Sequence, residues 1–286
     1  MRNEAYILSL PARRVSPVVF SSPHSGRDYS RDFLAASVLD PLAIRSSEDA
    51  FVDELFGSAP NYGAPLIVAR APRAYIDLNR ACDELDPAVV EDVGRGAHNP
   101  RVASGLGVIP RVVAGGRAIY RGKLTRGEAD ARIARHWRPY HARLADLLAE
   151  SHRDFGHAVL IDCHSMPHEA IETHARPGFP RPDVVLGDRF GAAVGRDVMD
   201  RVEAAFVRAG LRVSRNSPFA GAFITQTYGR PSRGYHAVQV EIDRALYMDE
   251  KRIVKSSNFD AFKAILDGVI GEITEHGALP SALAAE

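Results

Sequence analysis

Four short apolar runs in this chain hand over to, or enclose, chemically capable side chains. Val18-Val19-Phe20 breaks into Ser21-Ser22-Pro23-His24-Ser25-Gly26, and the run at 74–78 leads through Asp77-Leu78-Asn79-Arg80. The run at 158–161 enters Asp162-Cys163-His164-Ser165, and the run at 237–242 encloses Gln239-Val240-Glu241. Runs of this length bounded by Ser, Pro and Gly read as buried strands. Further strands are expected at 64–69, 183–186, 211–213 and 222–225. Between them lie helical patterns. Thr125 and Glu128 make a capping box for a helix over 125–152 with Ile133, Trp137, Leu144, Leu147 and Leu148 as its apolar stripe. A helix over 190–209 stops at Gly210, another over 258–276 stops at Gly277, and a shorter one is expected to start near Ser47. Residues 83–116, with Pro87, Pro100 and Pro110, read as a long irregular excursion, of a length usually functional or mobile. Strands alternating with helices predict an α/β fold: one domain over 1–286, a mixed central sheet flanked by helices.

Composition narrows the partners. Lys plus Arg and Asp plus Glu both number 36, and the basic residues form no compact tract. No electrostatic reason then exists to expect nucleic acid or an anionic membrane. The two cysteines, Cys82 and Cys163, are too few for a disulfide framework or a zinc knuckle. Arg2, Arg13 and Arg14 interrupt the first residues, and no apolar run has the length of a membrane span, so the expected place is the cytoplasm.

In an open α/β sheet, ligands gather beyond the carboxyl ends of the strands, where these clusters fall. His24 and His164 are the candidate metal ligands: two imidazoles and a carboxylate hold zinc and leave a position for water. Position 27 is Arg, so the carboxylate comes from elsewhere. Glu48 and Asp49 are the candidates, Asp49 preferred, and Asp162 is placed behind a ligand or at the strand end. Glu241, flanked by apolar residues, suits a general base with a raised pKa, or else pairs with an arginine such as Arg244. Arg80 and Asn79 can hold a substrate carboxylate, and Arg73 can stabilise an oxyanion, or bridge salts on the surface. Tyr120, Tyr228, Arg230 and His236 are weaker candidates for a pocket lining. His168 and His174 read as spare ligands, proton shuttles or plain loop residues, the last preferred. No Walker loop and no Gly-x-Ser-x-Gly elbow appears.

As an ordered set the segments resemble the N-formylglutamate amidohydrolase family. They are Ser22-Pro23-His24-Ser25-Gly26, Glu48-Asp49 with Val52-Asp53-Glu54-Leu55, and Arg73-Ala74-Tyr75-Ile76-Asp77-Leu78-Asn79-Arg80. Asp162-Cys163-His164-Ser165-Met166-Pro167, Asn216-Ser217-Pro218-Phe219-Ala220-Gly221 and the stretch from His236 to Tyr247 complete the set. That family is similar to the zinc carboxypeptidase and aspartoacylase group. The resemblance implies a zinc-carboxypeptidase-like fold and one zinc ion held by His24, a carboxylate and His164. It also implies Glu241 as base, Arg73 at the oxyanion, and Asn79 with Arg80 on a substrate carboxylate. The implied reaction takes the formyl group off N-formyl-L-glutamate, a small-molecule N-acyl amino acid, in histidine degradation. The same chemistry on another N-acyl amino acid or short peptide stays open, as does a non-catalytic binder of acidic metabolites. Cobalt, manganese or iron would suit the same ligands.

Overall fold

The computed structural model describes residues 5–94, 99–173 and 181–277 of the chain. Its centre is a seven-stranded sheet whose strands, in chain order, are β1 (Tyr6–Ser9), β2 (Val18–Ser22), β3 (Leu66–Ala69), β4 (Ala158–Met166), β5 (Val184–Gly187), β6 (Val213–Arg215) and β7 (Tyr235–Asp243). In space they run β1-β3-β2-β4-β7-β5-β6. β3, β2, β4 and β7 are parallel, while β1 at one edge and the β5-β6 pair at the other run against them. The sheet is therefore mixed, as the alternating pattern predicts.

Among the described residues, helices α1 (Arg126–Arg132), α2 (Arg138–Phe155), α3 (Arg196–Arg208), α4 (Phe223–Tyr228) and α5 (Phe259–Gly277) flank the sheet. The capping box of Thr125 and Glu128 is formed, and α1 passes into α2 through a π-helical stretch at Ile133–Trp137. Tyr140, Leu144, Leu147 and Leu148 of α2 pack on one face against Val19, Ala158 and Leu160. Phe206 of α3 and Phe262 and Leu266 of α5 pack on the other, against Val18, Phe20, Val159 and Ile161. Side chains alternate along a strand, so each central strand serves both cores. Each such fully buried side chain stabilises the fold by about 1.5–3 kcal/mol. No helix among the described residues is long and apolar enough to cross a membrane.

The face beneath α2 is apolar only part of the way. Towards the carboxyl ends of β2, β4 and β7 it changes to Ser21, Asp162, His164, Gln239 and Glu241. Parallel register sets Asp162 beside Gln239 and His164 beside Glu241. The period-2 alternation that buries Leu160 and Ala237 thus delivers four polar side chains to one place.

Several elements depart from the sequence expectations. Residues 74–78 are not a strand. The chain turns there, with Tyr75 and Ile76 donating to Pro72 O, and the Asp77 carboxylate accepts from Asn79 N instead of leaving the backbone to a ladder. Residues 222–225 open the α4 helix. Their β-branched composition is overridden because Ala222 N and Ile224 N are taken by the Gln239 and Asn79 side chains. The helix expected near Ser47 is a single turn, Val52–Leu55, because Phe51 sits at φ +66° and Asp49 N bonds His24 O. The helix over 190–209 starts only at Arg196, since Arg189 and Phe190 take positive φ. His174 lies outside the described residues.

Candidate active site

Two close approaches shape the loops that carry the chemistry. A Cβ on Gly26 would meet Ala71 O at 2.2 Å, so only glycine lets the loop after β2 lie on the backbone at 70–71. A Cβ on Gly187 would meet Gly221 N at 2.6 Å, and that close pass brings Ala222 N within 3.0 Å of Gln239 Oε1. Ser22 and Ser25 hydroxyls bond at 2.7 Å and fix the turn that presents His24.

His24, Asp49 and His164 are all buried, and one ligand atom from each lies within 4.8 Å of the others. His164 Nδ1 is 3.0 Å from Asp49 Oδ2. His24 Nδ1 is 3.4 Å from the same oxygen, without the geometry of a hydrogen bond, and is a buried nitrogen with no hydrogen-bond partner among the described residues. The opposite nitrogens are held from behind. His24 Nε2 lies 2.7 Å from Asp77 Oδ1, and His164 Nε2 lies 3.0 Å from Asp162 Oδ2. A carboxylate behind each imidazole fixes its tautomer and turns Nδ1 inward, the usual support of a metal-ligating histidine. The far oxygen of Asp49 is equally committed: Arg244 Nη2 donates to Oδ1 at 3.0 Å while Arg244 Nε donates to Ser165 Oγ at 3.1 Å.

Burial pushes the Asp49 and Asp77 carboxyls up, but the neighbouring imidazoles, and Arg73 at Asp77, outweigh it and hold both well below the usual carboxylate range. Burial lowers His164, yet Asp162 and Asp49 raise it well above an ordinary histidine. The cluster therefore demands positive charge at its centre. A divalent cation meets that demand, and the donor set of two imidazoles and one carboxylate suits zinc. The orphaned His24 Nδ1 fits the same conclusion. Glu48, the alternative carboxylate, is turned away, with Arg45 Nε at 2.9 Å and the Tyr29 hydroxyl at 3.2 Å.

Glu241 stands beside His164 in the register and accepts from Gln239 Nε2 at 2.7 Å through Oε1. Oε2 carries no hydrogen bond among the described residues. Burial is the main cause that pushes this carboxyl up to about 7, with Asp49 adding to it and His164, Arg73 and Arg244 opposing. Glu241 thus does not form the ion pair with Arg244 that was its alternative role; Arg244 is spent on Asp49.

A cavity of about 550 Å³ opens over this cluster. Arg73, Arg80, Arg101 and Arg244 line it, together with Asn79, Leu106 and Phe219. Arg73 Nε donates to Asp77 Oδ2 at 3.1 Å, so this arginine is not the surface bridge of its alternative reading. Arg80 is buried, with Nε on Leu106 O and Nη1 on Asn79 O, both at 2.9 Å. Asn79 Oδ1 accepts from Ile224 N at 2.8 Å, which turns Nδ2 toward His164, Asp162 and Gln239 at 3.2–3.5 Å.

The remaining candidates lie elsewhere. Tyr120, Tyr228, Arg230 and His236 do not line the cavity. Tyr120 and Tyr228 are tied to Arg132 and His141, and His236 Nδ1 accepts from Gly195 N. His168 opens the short helix His168–Thr173 and pairs with Asp243 at 2.8 Å. Sequence reasoning missed Asp77 as the support of His24, Arg244 as the anchor of Asp49, and Arg101. The Glu-x-x-Arg spacing from Glu241 to Arg244, over the end of a buried strand, was the signal available for Arg244.

The sequence model of N-formylglutamate amidohydrolase matches residues 16–248. An N-formylglutamate deformylase of Pseudomonas aeruginosa is 32% identical over 251 residues, 86% of each chain, and one of Pseudomonas putida is 30% identical over 240, 82% of each. The crystal structure of an N-formylglutamate amidohydrolase from Ralstonia eutropha JMP134 superposes with a TM-score of 0.88 at 35% identity, covering 96% of this chain and 98% of that one. The match spans every segment that carries the cavity, and the chain belongs to the N-formylglutamate amidohydrolase family, an enzyme of the amidohydrolase class.

Proposed function

We propose that this enzyme hydrolyses the N-formyl amide of N-formyl-L-glutamate, with zinc held by His24, Asp49 and His164. The observation that carries this reading is one constellation: three metal-competent atoms within 4.8 Å, and a buried carboxyl raised to about 7 beside them. Both sit at the base of an arginine-lined cavity. The relatives named as N-formylglutamate deformylases support this choice of substrate.

Zinc in that site supplies a Lewis acid that polarises the formyl carbonyl and makes water more acidic. Glu241 accepts a proton from the water that attacks the formyl carbon, its burial raising the carboxyl in the direction a general base needs. It then delivers a proton to the departing α-amino nitrogen as the C–N bond breaks, leaving formate and L-glutamate. Gln239 holds Glu241 in place through Oε1 and leaves Oε2 for the transfer. Arg73, with Nε fixed on Asp77, offers its remaining N–H groups to the oxygen on which negative charge develops. Arg80 and Asn79 fix a substrate carboxylate. The Asn79 Nδ2 contacts are no shorter than 3.2 Å, loose enough to exchange for a ligand oxygen. Substrate and place in histidine breakdown follow from the same reading.

The test is formate release from N-formyl-L-glutamate by zinc-loaded protein, alongside a chelated sample and N-acetyl-L-glutamate. Formate release that stops on chelation and returns with zinc supports the reading. Protein that binds one zinc yet releases no formate overturns the substrate.

A further inference from the structure

The four arginines of the cavity are not equivalent. Arg244 is saturated by Asp49, Ser165 and Ser46 O. Arg73 is paired with Asp77. Arg80 has no ion pair among the described residues; Nε and Nη1 rest on main-chain carbonyls and Nη2 carries no hydrogen bond there. Arg101, on the short helix Pro100–Ala103, lines the same cavity with no hydrogen bond or ion pair to any described residue from its side chain. Burial first, and then repulsion from Arg73 and Arg101 against the pull of Asp77, holds the Arg80 guanidinium below its ordinary value. Two guanidinium groups without a carboxylate partner therefore share one cavity and repel each other. Leu106, Pro110 and Val112 line it with them and give apolar surface for methylene groups.

We propose that Arg101 is the second carboxylate anchor of this site. It receives the side-chain carboxylate of a dicarboxylic N-acyl amino acid while Arg80 and Asn79 hold the α-carboxylate. The inference deepens the deformylase reading and rests on it. Two guanidinium groups without a carboxylate partner match two carboxylates joined by a short aliphatic chain, and a bidentate guanidinium contact separates a carboxylate from a neutral amide of the same shape. Arg101 is thus a specificity-determining residue. Its short helix belongs to the 83–116 excursion, outside the sheet, whereas His164 and Glu241 stand on strands.

The experiment compares kcat/KM for N-formyl-L-glutamate and N-formyl-L-glutamine in zinc-loaded wild-type protein and in Arg101→Ala. The glutamine substrate keeps the length and loses the charge. Arg101→Ala is expected to lose about tenfold or more on the glutamate substrate and to stay within about twofold on the glutamine one. Arg101→Lys should recover part of the loss. Equal loss on both substrates, or no loss on either, overturns the subsite. Failure of the deformylase reading shows separately, as wild-type protein that releases formate from neither substrate. Calorimetric titration of L-glutamate then decides for Arg101: weaker binding to the Ala variant supports the anchor, and equal binding to both overturns it.

Discussion

Two clefts of similar size, about 550 Å³ over His24 and about 500 Å³ beside Arg132, differ in what their polar groups have left to do. Beside Arg132 the charged side chains of Arg132, Glu128, Asp28 and Arg70 are all paired. Arg132 Nη1 donates to the Tyr120 hydroxyl at 2.7 Å and to Tyr75 O at 3.2 Å, with the guanidinium carbon 4.0 Å over the Tyr75 ring. Glu128 closes the capping box, and Asp28 pairs with Arg70 at 2.7 Å. Over His24 the partners stop one step short. Each supporting group is held from behind, while His24 Nδ1, Glu241 Oε2, Arg80 Nη2 and the Arg101 guanidinium carry no hydrogen bond among the described residues. Size alone does not make a site; incompletely satisfied groups on a fixed frame do.

The largest expected effect sharpens that difference. Glu241→Gln keeps the shape and the bond from Gln239, so zinc should stay at one per chain while kcat falls about 10²- to 10⁴-fold. Formate release and metal content on the same sample check it, and retained turnover removes Glu241 from the mechanism. Asp77→Asn probes the frame itself. It weakens the acceptor behind His24 and should lower zinc affinity by about 10- to 100-fold, read by competition with a chelator. An unchanged affinity would mean that His24 needs no support.

How much of this was legible in the sequence follows from the range of each interaction. His24, His164 and Glu241 announced themselves locally, because each interrupts or ends an apolar run, and strand periodicity then places His164 beside Glu241. Asp77 and Arg244 act across 53 and 195 positions in the chain, and no local pattern carries such a pairing. Asp77-Leu78-Asn79-Arg80 was noticed as a cluster, but its backbone was read as strand because Tyr75, Ile76 and Leu78 are good strand formers. The Asp77 side chain took the competing hydrogen bond. The run at 222–225 failed for the same reason seen from the other side: distant Gln239 and Asn79 claimed its amides.

The pH dependence of stability sharpens the comparison further. In the fold Glu241 keeps its proton up to about pH 7, against an ordinary value of 4.5. Between those values the native state binds more protons than the unfolded chain, so stability falls as pH rises through the window and the cost is complete above it. In protein stripped of metal, Glu241→Gln should therefore be more stable than wild type at pH 8, by on the order of 3 kcal/mol. The advantage should vanish near pH 4. Urea midpoints at both pH values check this, and a difference that grows toward acid would reverse the assignment.

Tyr120→Phe gives the smallest effect and the most direct way to break the comparison. It removes one hydroxyl that accepts at 2.7 Å from Arg132, a residue lining the second cleft, and leaves the ring packed against Phe33. Arg132 keeps Tyr75 O and its place over the Tyr75 ring, so the guanidinium is not stranded. The loss should be about 1 kcal/mol of stability, with kcat/KM for N-formyl-L-glutamate unchanged. If formate release falls instead while the fold keeps its stability, the second cleft acts on the reaction. Satisfied hydrogen bonds would then no longer separate a structural cleft from a working one.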